Sequence, residues 1–150
     1  MLSSKLLQDI EAHGDVIAGN ILTAIRHDPS LVHLAKLPDQ ELRERGQEIL
    51  KNLSHWLIPG KDEGLARNYE ALGRERFEEG VPLHEAVRAL CIMRVKMIEF
   101  LDEQGTDRDS VGLYAAEQFE RRLGCFFDFL IVHLVRGYET AWRHAAHLVA

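Results

Sequence analysis

Cysteine, proline and aromatic residues are scarce in this chain of 150 residues, which has 2 Cys, 4 Pro and 7% aromatic side chains. A chain of this length buries roughly two thirds of the surface that its unfolded form exposes, so we expect one domain, residues 1–150, without disulfides. Cys91 and Cys125 each lie in an apolar helical run, where a free thiol behaves as a small buried hydrophobe. Reduced cysteines suit a cytoplasmic protein.

An excess of basic residues and a long apolar run are also missing. The net charge of −6 and the pI of about 5.7 argue against nucleic-acid binding, which usually requires a basic face. The most apolar window, Cys125 to Val135, contains Asp128 and His133 and is shorter than the ~18 residues of a membrane span. The N-terminus turns acidic before any apolar stretch, so we predict no signal peptide and no membrane insertion.

Motifs of known catalytic chemistry are absent too. Neither cysteine belongs to a Cys-x-x-Cys pair, no serine stands in Gly-x-Ser-x-Gly, and no phosphate-binding loop occurs. None of the 8 histidines fits the Glu-x-x-His or His-Glu-x-x-His pattern of helical metal sites. His144 and His147 share a helix face but lack further ligands, so we favour a solvated helix end there. We predict no enzyme activity and no metal.

Helical periodicity fills the chain, and no segment alternates with the period of a strand. The apolar spacing predicts an all-α bundle of about five main helices. Their predicted limits are Leu6 to Asp28, Pro38 to Ile58, Asp62 to Gly80, Pro82 to Gly105 and Asp107 to Ala150. The predicted core includes Trp56, Leu72, Leu90, Phe126 and Ile131.

The corner between the third and fourth helices is the most constrained stretch. Gly80 enters the left-handed conformation without a Cβ penalty and therefore suits the end of a helix. Pro82 suits the start of the next helix, where its missing N–H has no partner to lose.

The last helix outgrows the domain, since about 43 residues at ~1.5 Å each reach roughly 65 Å. Its final part carries apolar residues at alternating steps of four and three: Ile131, Val135, Tyr138, Trp142, Ala145 and Val149. One interpretation is a helix that packs on its own domain. We favour the other, in which the last ~15 residues form a parallel stalk of a homodimer, with Tyr138 and Trp142 as anchors.

Two charged residues interrupt apolar stripes, Arg76 on the third helix and Arg94 on the fourth. Each is either an ion-paired or snorkelling side chain or the cationic wall of a small-ligand cleft between helices. Asp128 and His133 of the last helix are candidates for their partners or for further lining of that cleft.

The chain resembles the N-terminal sensor domain of RsbR/RsbRD-type stressosome co-antagonists. The resemblance rests on residues 38–57 and on the pattern Leu-Gly-Arg-x-Arg-x-x-x-Gly-x-Pro-Leu at residues 72–83. It implies a globin-like fold without haem, homodimers, and signals that pass through the last helix to a C-terminal STAS domain. No STAS-like sequence precedes Ala150, so we expect an excised domain or a single-domain member.

Haem-binding globin sensors carry Gly-x-x-His, followed by Gly four residues later, at the matching corner. Here those positions are Gly73, Arg76 and Gly80, and arginine stays protonated and cannot ligate iron. The resemblance therefore implies a globin that has lost its haem, with no cofactor. The alternative is a haem-binding or small-ligand-binding protein that uses His84 or His133.

Overall fold

The computed structural model describes residues 2–56, 62–104 and 110–149. These residues form six α-helices, one short 3-10 helix and no strand, which confirms the all-α prediction. In chain order the elements are α1 (Leu2–Ala12), α2 (Gly14–His27), the 3-10 helix (Leu34–Lys36), α3 (Asp39–Trp56), α4 (Asp62–Glu78), α5 (Leu83–Gln104) and α6 (Ser110–Val149). The predicted helix ends at Ile58, Gly105 and Asp107 fall outside the described residues.

The predicted first helix is in fact two helices, α1 and α2, which are separated by His13. The backbone there has φ of −113° and ψ of 26°, and the ring nitrogen Nδ1 of His13 lies 2.8 Å from the carbonyl oxygen of Asp9. The single-helix prediction is therefore wrong at His13, although Ile10 and Ile17, on either side of the break, are both fully buried. The apolar spacing therefore continues across the break and does not reveal it.

The connector from α2 to α3 is held by Arg26 at the end of α2. Its guanidinium donates to the carbonyl oxygens of Ala35 and Leu37 and to the carboxylate of Asp39, the first residue of α3. One side chain thus satisfies carbonyl groups that the short 3-10 helix leaves free.

The corner at Gly80 has the predicted geometry. Its φ is +78°, its N–H donates to the Phe77 carbonyl at 3.0 Å, and the Val81 N–H donates to the Arg76 carbonyl at 3.0 Å. This pair of bonds is a Schellman motif, which satisfies the last carbonyl groups of α4. The carbonyl of Pro82 then accepts the first hydrogen bonds of α5, which begins one residue after the predicted start.

The core combines residues from all six helices, and the predicted core is confirmed in part. Leu90 and Phe126 are buried, whereas Leu72, Trp56 and Ile131 are half-buried at the margin and pack against the core. The ring of Trp56 packs against that of Phe126 at a tilt of 58°, with 5.9 Å between ring centroids.

The apolar spacing of α5 predicts an inner face of Leu83, Val87, Leu90, Arg94, Met97 and Leu101, and this is confirmed in part. Leu90, Met97 and Leu101 are buried, whereas Leu83 is exposed and Val87 and Arg94 are half-buried. Helix α5 also buries Glu85, Ala86, Ala89, Met93 and Phe100. Alanines contribute little to an apolar pattern, yet their small side chains let neighbouring helices approach, which shifts the contact face.

Helix α6 spans 40 residues, about 60 Å at ~1.5 Å per residue. Its side chains facing the other helices are buried from its second turn onward: Ala116, Phe119, Leu123, Phe126, Phe127, Leu130, Leu134, Tyr138 and Ala141. Across residues 2–56, 62–104 and 110–149, no helix has both the length and the apolar character that crossing a bilayer requires.

Candidate functional site

Helices α4 and α6 touch through their backbones at Gly73 and Gly137. A Cβ atom on Gly73 would overlap the carbonyl oxygen of Leu134, and one on Gly137 would overlap the carbonyl oxygen of Glu70. Each hypothetical Cβ would also lie 3.0 Å from the Cα of the opposite glycine. Only glycine permits this approach, so the crossing fixes how the long last helix sits on the domain. Gly73 belongs to the sequence pattern of residues 72–83, whereas no motif marks Gly137.

Arg76 lies one turn after Gly73 on α4 and is only 4% exposed. Its Nη1 donates to the carboxylate of Glu41 on α3 at 2.8 Å and to that of Glu79 at 2.9 Å. A buried guanidinium is always charged and requires such partners. Of the two predictions for Arg76, the ion pair with a facing helix is confirmed.

The carboxylates around Arg76 converge. Oxygen atoms of Glu41, Glu75 and Glu79 lie within 4.8 Å of one another. Arg45 of α3 adds a second positive charge, since its guanidinium lies 3.1 Å from Glu75 and 3.1 Å from Glu48. The two arginines therefore offset two of the three negative charges that converge here.

Tyr138 belongs to the interior of its own chain. It is 5% exposed, its hydroxyl donates to the Val81 carbonyl at 2.9 Å, and its ring meets the Phe77 ring edge-on at 6.2 Å. Burial raises the pKa of its hydroxyl above the ordinary value. Tyr138, which we predicted as an anchor of the dimer, is buried within its own chain because the corner at Gly80 brings Val81 and Phe77 onto α6.

A small cavity of about 40 Å³ lies where the helices meet. Its lining comes from α2 to α6 and from the 3-10 helix: Ile25, Leu34, Leu42, Arg45, Ile49, Tyr69, Leu72, Arg76, Ala86, Ala89, Leu90, Met93 and Leu134. A water needs about 10–15 Å³ by this measure, so there is room for a few small atoms and none for a porphyrin.

The four residues predicted to form a cleft do not come together. Arg76 lines the cavity, whereas Arg94, Asp128 and His133 do not. Arg94 is half-buried and Asp128 is exposed. Helices α5 and α6 present other faces to this cavity, so a role of Arg94, Asp128 and His133 in a ligand cleft stays a prediction.

His133 has a separate place beside the α4–α6 crossing. Its Nδ1 lies 2.7 Å from the carboxylate of Glu70 on α4, and its ring packs 4.5 Å from that of Phe129. This polar link joins the two helices one turn before Gly137. His133 is thus engaged with α4 and does not face the cavity.

His84 lies on the surface, in an open groove between the end of α2 and the start of α5. The same groove contains Asp28, which accepts hydrogen bonds from the N–H and hydroxyl of Ser30 at 2.9 and 2.7 Å and from Arg88 at 2.6 Å. These bonds lower the pKa of Asp28 to about 2, the Ser30 hydroxyl having the largest effect. His84 and His133 therefore lie in different places, and neither lines the cavity.

Glu85 is a buried charge that the sequence pattern does not predict. It is 1% exposed, and its carboxylate accepts from the backbone N–H groups of His33 and Leu34 at 2.9 and 3.1 Å and from the ring of His33 at 2.7 Å. Burial raises the pKa of Glu85, but the three hydrogen bonds outweigh it, so the pKa lies below the ordinary value of 4.5. Glu85 thereby anchors the 3-10 helix to α5.

We expect the Glu85→Gln variant to lose about 1–2 kcal/mol of unfolding free energy at pH 7, since an amide cannot accept all three bonds. The wild-type advantage is fully present above pH 4.5, the unfolded value, and fades as the pH falls through the lower pKa of the folded state. Urea unfolding at pH values from 7 to 3 checks this. A difference between variant and wild type that stays constant over that range would contradict it, and Glu103→Gln, at an exposed position, is the control.

The end of α6 leaves the core after Ala141. Trp142 is 67% exposed and Leu148 is 76% exposed, while Val135 and Ala145 are half-buried. The side chain of Val149 lies outside the described part of the chain. Of the predicted interface residues, Trp142 is the one large side chain found on the surface among those described.

Fold and geometry together define an all-α domain with a glycine-to-glycine helix crossing, a buried arginine and a protruding last helix. The family model of the RsbT co-antagonist protein rsbRD N-terminal domain matches residues 15–148. The chain belongs to this family, as the sequence resemblance indicated. No curated protein matches the sequence.

Proposed function

We propose that the chain is a non-enzymatic sensing and interaction domain of a cytoplasmic stress response, which passes its input through α6. The observation that carries this proposal is the double role of α6. It contacts α4 backbone-to-backbone at Gly137, and a few residues later it leaves the core with Trp142 exposed. The family name refers to antagonism of RsbT, so the output is an interaction with another protein or with a STAS-type domain. The globin-like arrangement stays a prediction.

The crossing suits α6 for transmission. At Gly73 and Gly137 no side chain lies between the helices that could absorb a displacement, so a shift of α4 has to move α6. Tyr138, bonded to Val81 in the corner, adds a second attachment one residue further on. Closely packed helices of this kind move between discrete arrangements, as a signalling relay requires.

The partner of the exposed end of α6 is, in this proposal, a second copy of the chain. Trp142, Ala145 and Leu148 follow one another at steps of three and form a continuous strip. Large apolar side chains that are two thirds exposed or more seldom stand together on soluble monomers. Two parallel α6 ends would bury these strips against each other and place both outputs at the same end.

We expect the Trp142→Glu variant to dissociate into monomers that keep the wild-type helix content, because the variant places like charges across the two-fold axis. Sedimentation velocity at tens of micromolar, together with circular dichroism, measures both. The matched control is Tyr114→Glu, since Tyr114 is an aromatic residue 65% exposed near the other end of α6.

The control variant is expected to remain a dimer. If the unmodified protein sediments as a monomer, or if Tyr114→Glu dissociates the dimer and Trp142→Glu does not, the proposed interface at the end of α6 is wrong.

A further inference from the structure

We infer that the central cavity is a binding site for a small, uncharged and mainly apolar molecule of two to four heavy atoms, such as a dissolved gas. This inference deepens the proposed sensing function and rests on it for its biological meaning. The residues around the cavity, its size and its position next to the α4–α6 crossing carry it.

The chemistry of the wall selects an apolar ligand. Apart from Arg45, Tyr69 and Arg76, the lining residues are Ala, Ile, Leu and Met. The two arginines are already neutralised, Arg76 by Glu41 and Glu79 and Arg45 by Glu48 and Glu75. Neither guanidinium is left with an unbalanced charge for an anion. Apolar cavities of this kind stay dry and take up apolar molecules or xenon.

The size of the cavity limits the ligand. A volume of about 40 Å³ accepts two to four heavy atoms without moving the wall. The binding energy available per atom then keeps the Kd at tens of micromolar or weaker. Such a site responds to an abundant small molecule and not to a trace ligand.

The least buried part of the cavity lining lies on α3 and α4. Among the lining residues, Arg45 and Leu72 are half-buried, and the others are buried. The Arg45 guanidinium of α3 bridges to Glu75 of α4 at 3.1 Å, so a ligand that enters here has to pass this ion pair. Since this ion pair is partly exposed, opening it costs little.

Leu134 connects the cavity to the α4–α6 crossing. Its side chain lines the cavity, and its carbonyl oxygen is the atom that a Cβ on Gly73 would overlap. Leu72 and Arg76 line the same cavity on either side of Gly73 along α4. An occupant that presses on Leu134 therefore acts directly on the α4–α6 crossing.

The test is a xenon titration followed by methyl resonances in NMR. We expect saturable shifts at methyl groups that line the cavity, such as those of Ala86, Ala89 and Leu134, and none at Leu53 or Leu123 in other parts of the core. Sodium formate at the same concentrations is expected to leave the cavity methyls unshifted. Shifts caused by formate, or no saturable shift with xenon, would overturn the inference.

A cavity-filling variant sharpens the test. Ala89→Leu is expected to abolish the xenon shifts, whereas Ala116→Leu, at a buried alanine outside the cavity, is expected to keep them. Ala86→Val replaces Ala89→Leu if the latter unfolds. Shifts that persist in a folded filled variant would place xenon elsewhere. Because the titration does not depend on dimerisation, its failure is distinguishable from failure of the proposed α6 interface.

Discussion

The Gly137→Ala variant is expected to lower the free energy of unfolding by about 3 kcal/mol. The added methyl group would overlap the carbonyl oxygen of Glu70, which is backbone and cannot swing away. Helices α4 and α6 would therefore have to separate along their contact, and the core around them would loosen. Urea unfolding at pH 7 measures the change.

Gly124 on the same helix is the matched control, because a Cβ there meets nothing within 4 Å. The Gly124→Ala variant is expected to gain about 0.5–1 kcal/mol, since alanine is the better helix former. The two variants make the same chemical change in one helix, and their expected changes in unfolding free energy have opposite signs. Equal effects of Gly137→Ala and Gly124→Ala would mean that the α4–α6 contact is not as close as described.

The Arg76→Met variant is expected to lose about 2–3 kcal/mol of stability, because Glu41 and Glu79 would keep their charges without the guanidinium between them. Both carboxylates are partly exposed, so water screens their charges and limits the loss of stability. Adding Glu79→Gln is expected to recover part of the loss, as a double-mutant cycle would show.

The control for this variant is Arg143→Met. This change removes an exposed ion pair between Arg143 and Glu139, which both lie on α6. Exposed pairs of this type contribute about 0.5 kcal/mol or less. If Arg76→Met is no more destabilising than Arg143→Met in thermal or urea unfolding, the buried ion-pair network does not stabilise the fold.

The features that the sequence predicted well have local causes. Gly80 and Pro82 determine the backbone conformation only of the few residues next to them, and both lie at the predicted helix boundary. The starts of α3, α4 and α5 lie within one residue of the predicted positions and also have local causes, as does the absence of strands in the described residues.

The features that it did not predict depend on which helix meets which. Gly137 sits in a continuous helical pattern, and its role appears only when α4 crosses at that turn. Glu85 is by sequence an ordinary acidic residue in the first turn of α5, and its burial comes from a loop about fifty residues earlier in the chain. The break at His13 is hidden because the buried isoleucines on both sides keep the spacing of one helix.

The candidate site was predictable to the same limited extent. Arg76 stood out because a charge on an apolar stripe needs a partner, and its partner from a facing helix is Glu41. Tyr138 and Trp142 lie on one heptad line, yet Tyr138 is buried and Trp142 is exposed. The pattern shows the line but not the residue at which the core ends.

Spin-label distances across the proposed dimer test the central claim, that α6 pairs with its copy beyond the core. A single cysteine at the exposed Ala146, with Cys91 and Cys125 replaced by alanine and serine, carries one nitroxide per chain. Parallel α6 ends about 10 Å apart predict one narrow, short interspin distance in double electron–electron resonance, which is lost on dilution with unlabelled protein. The absence of any dipolar signal between chains would contradict the claim.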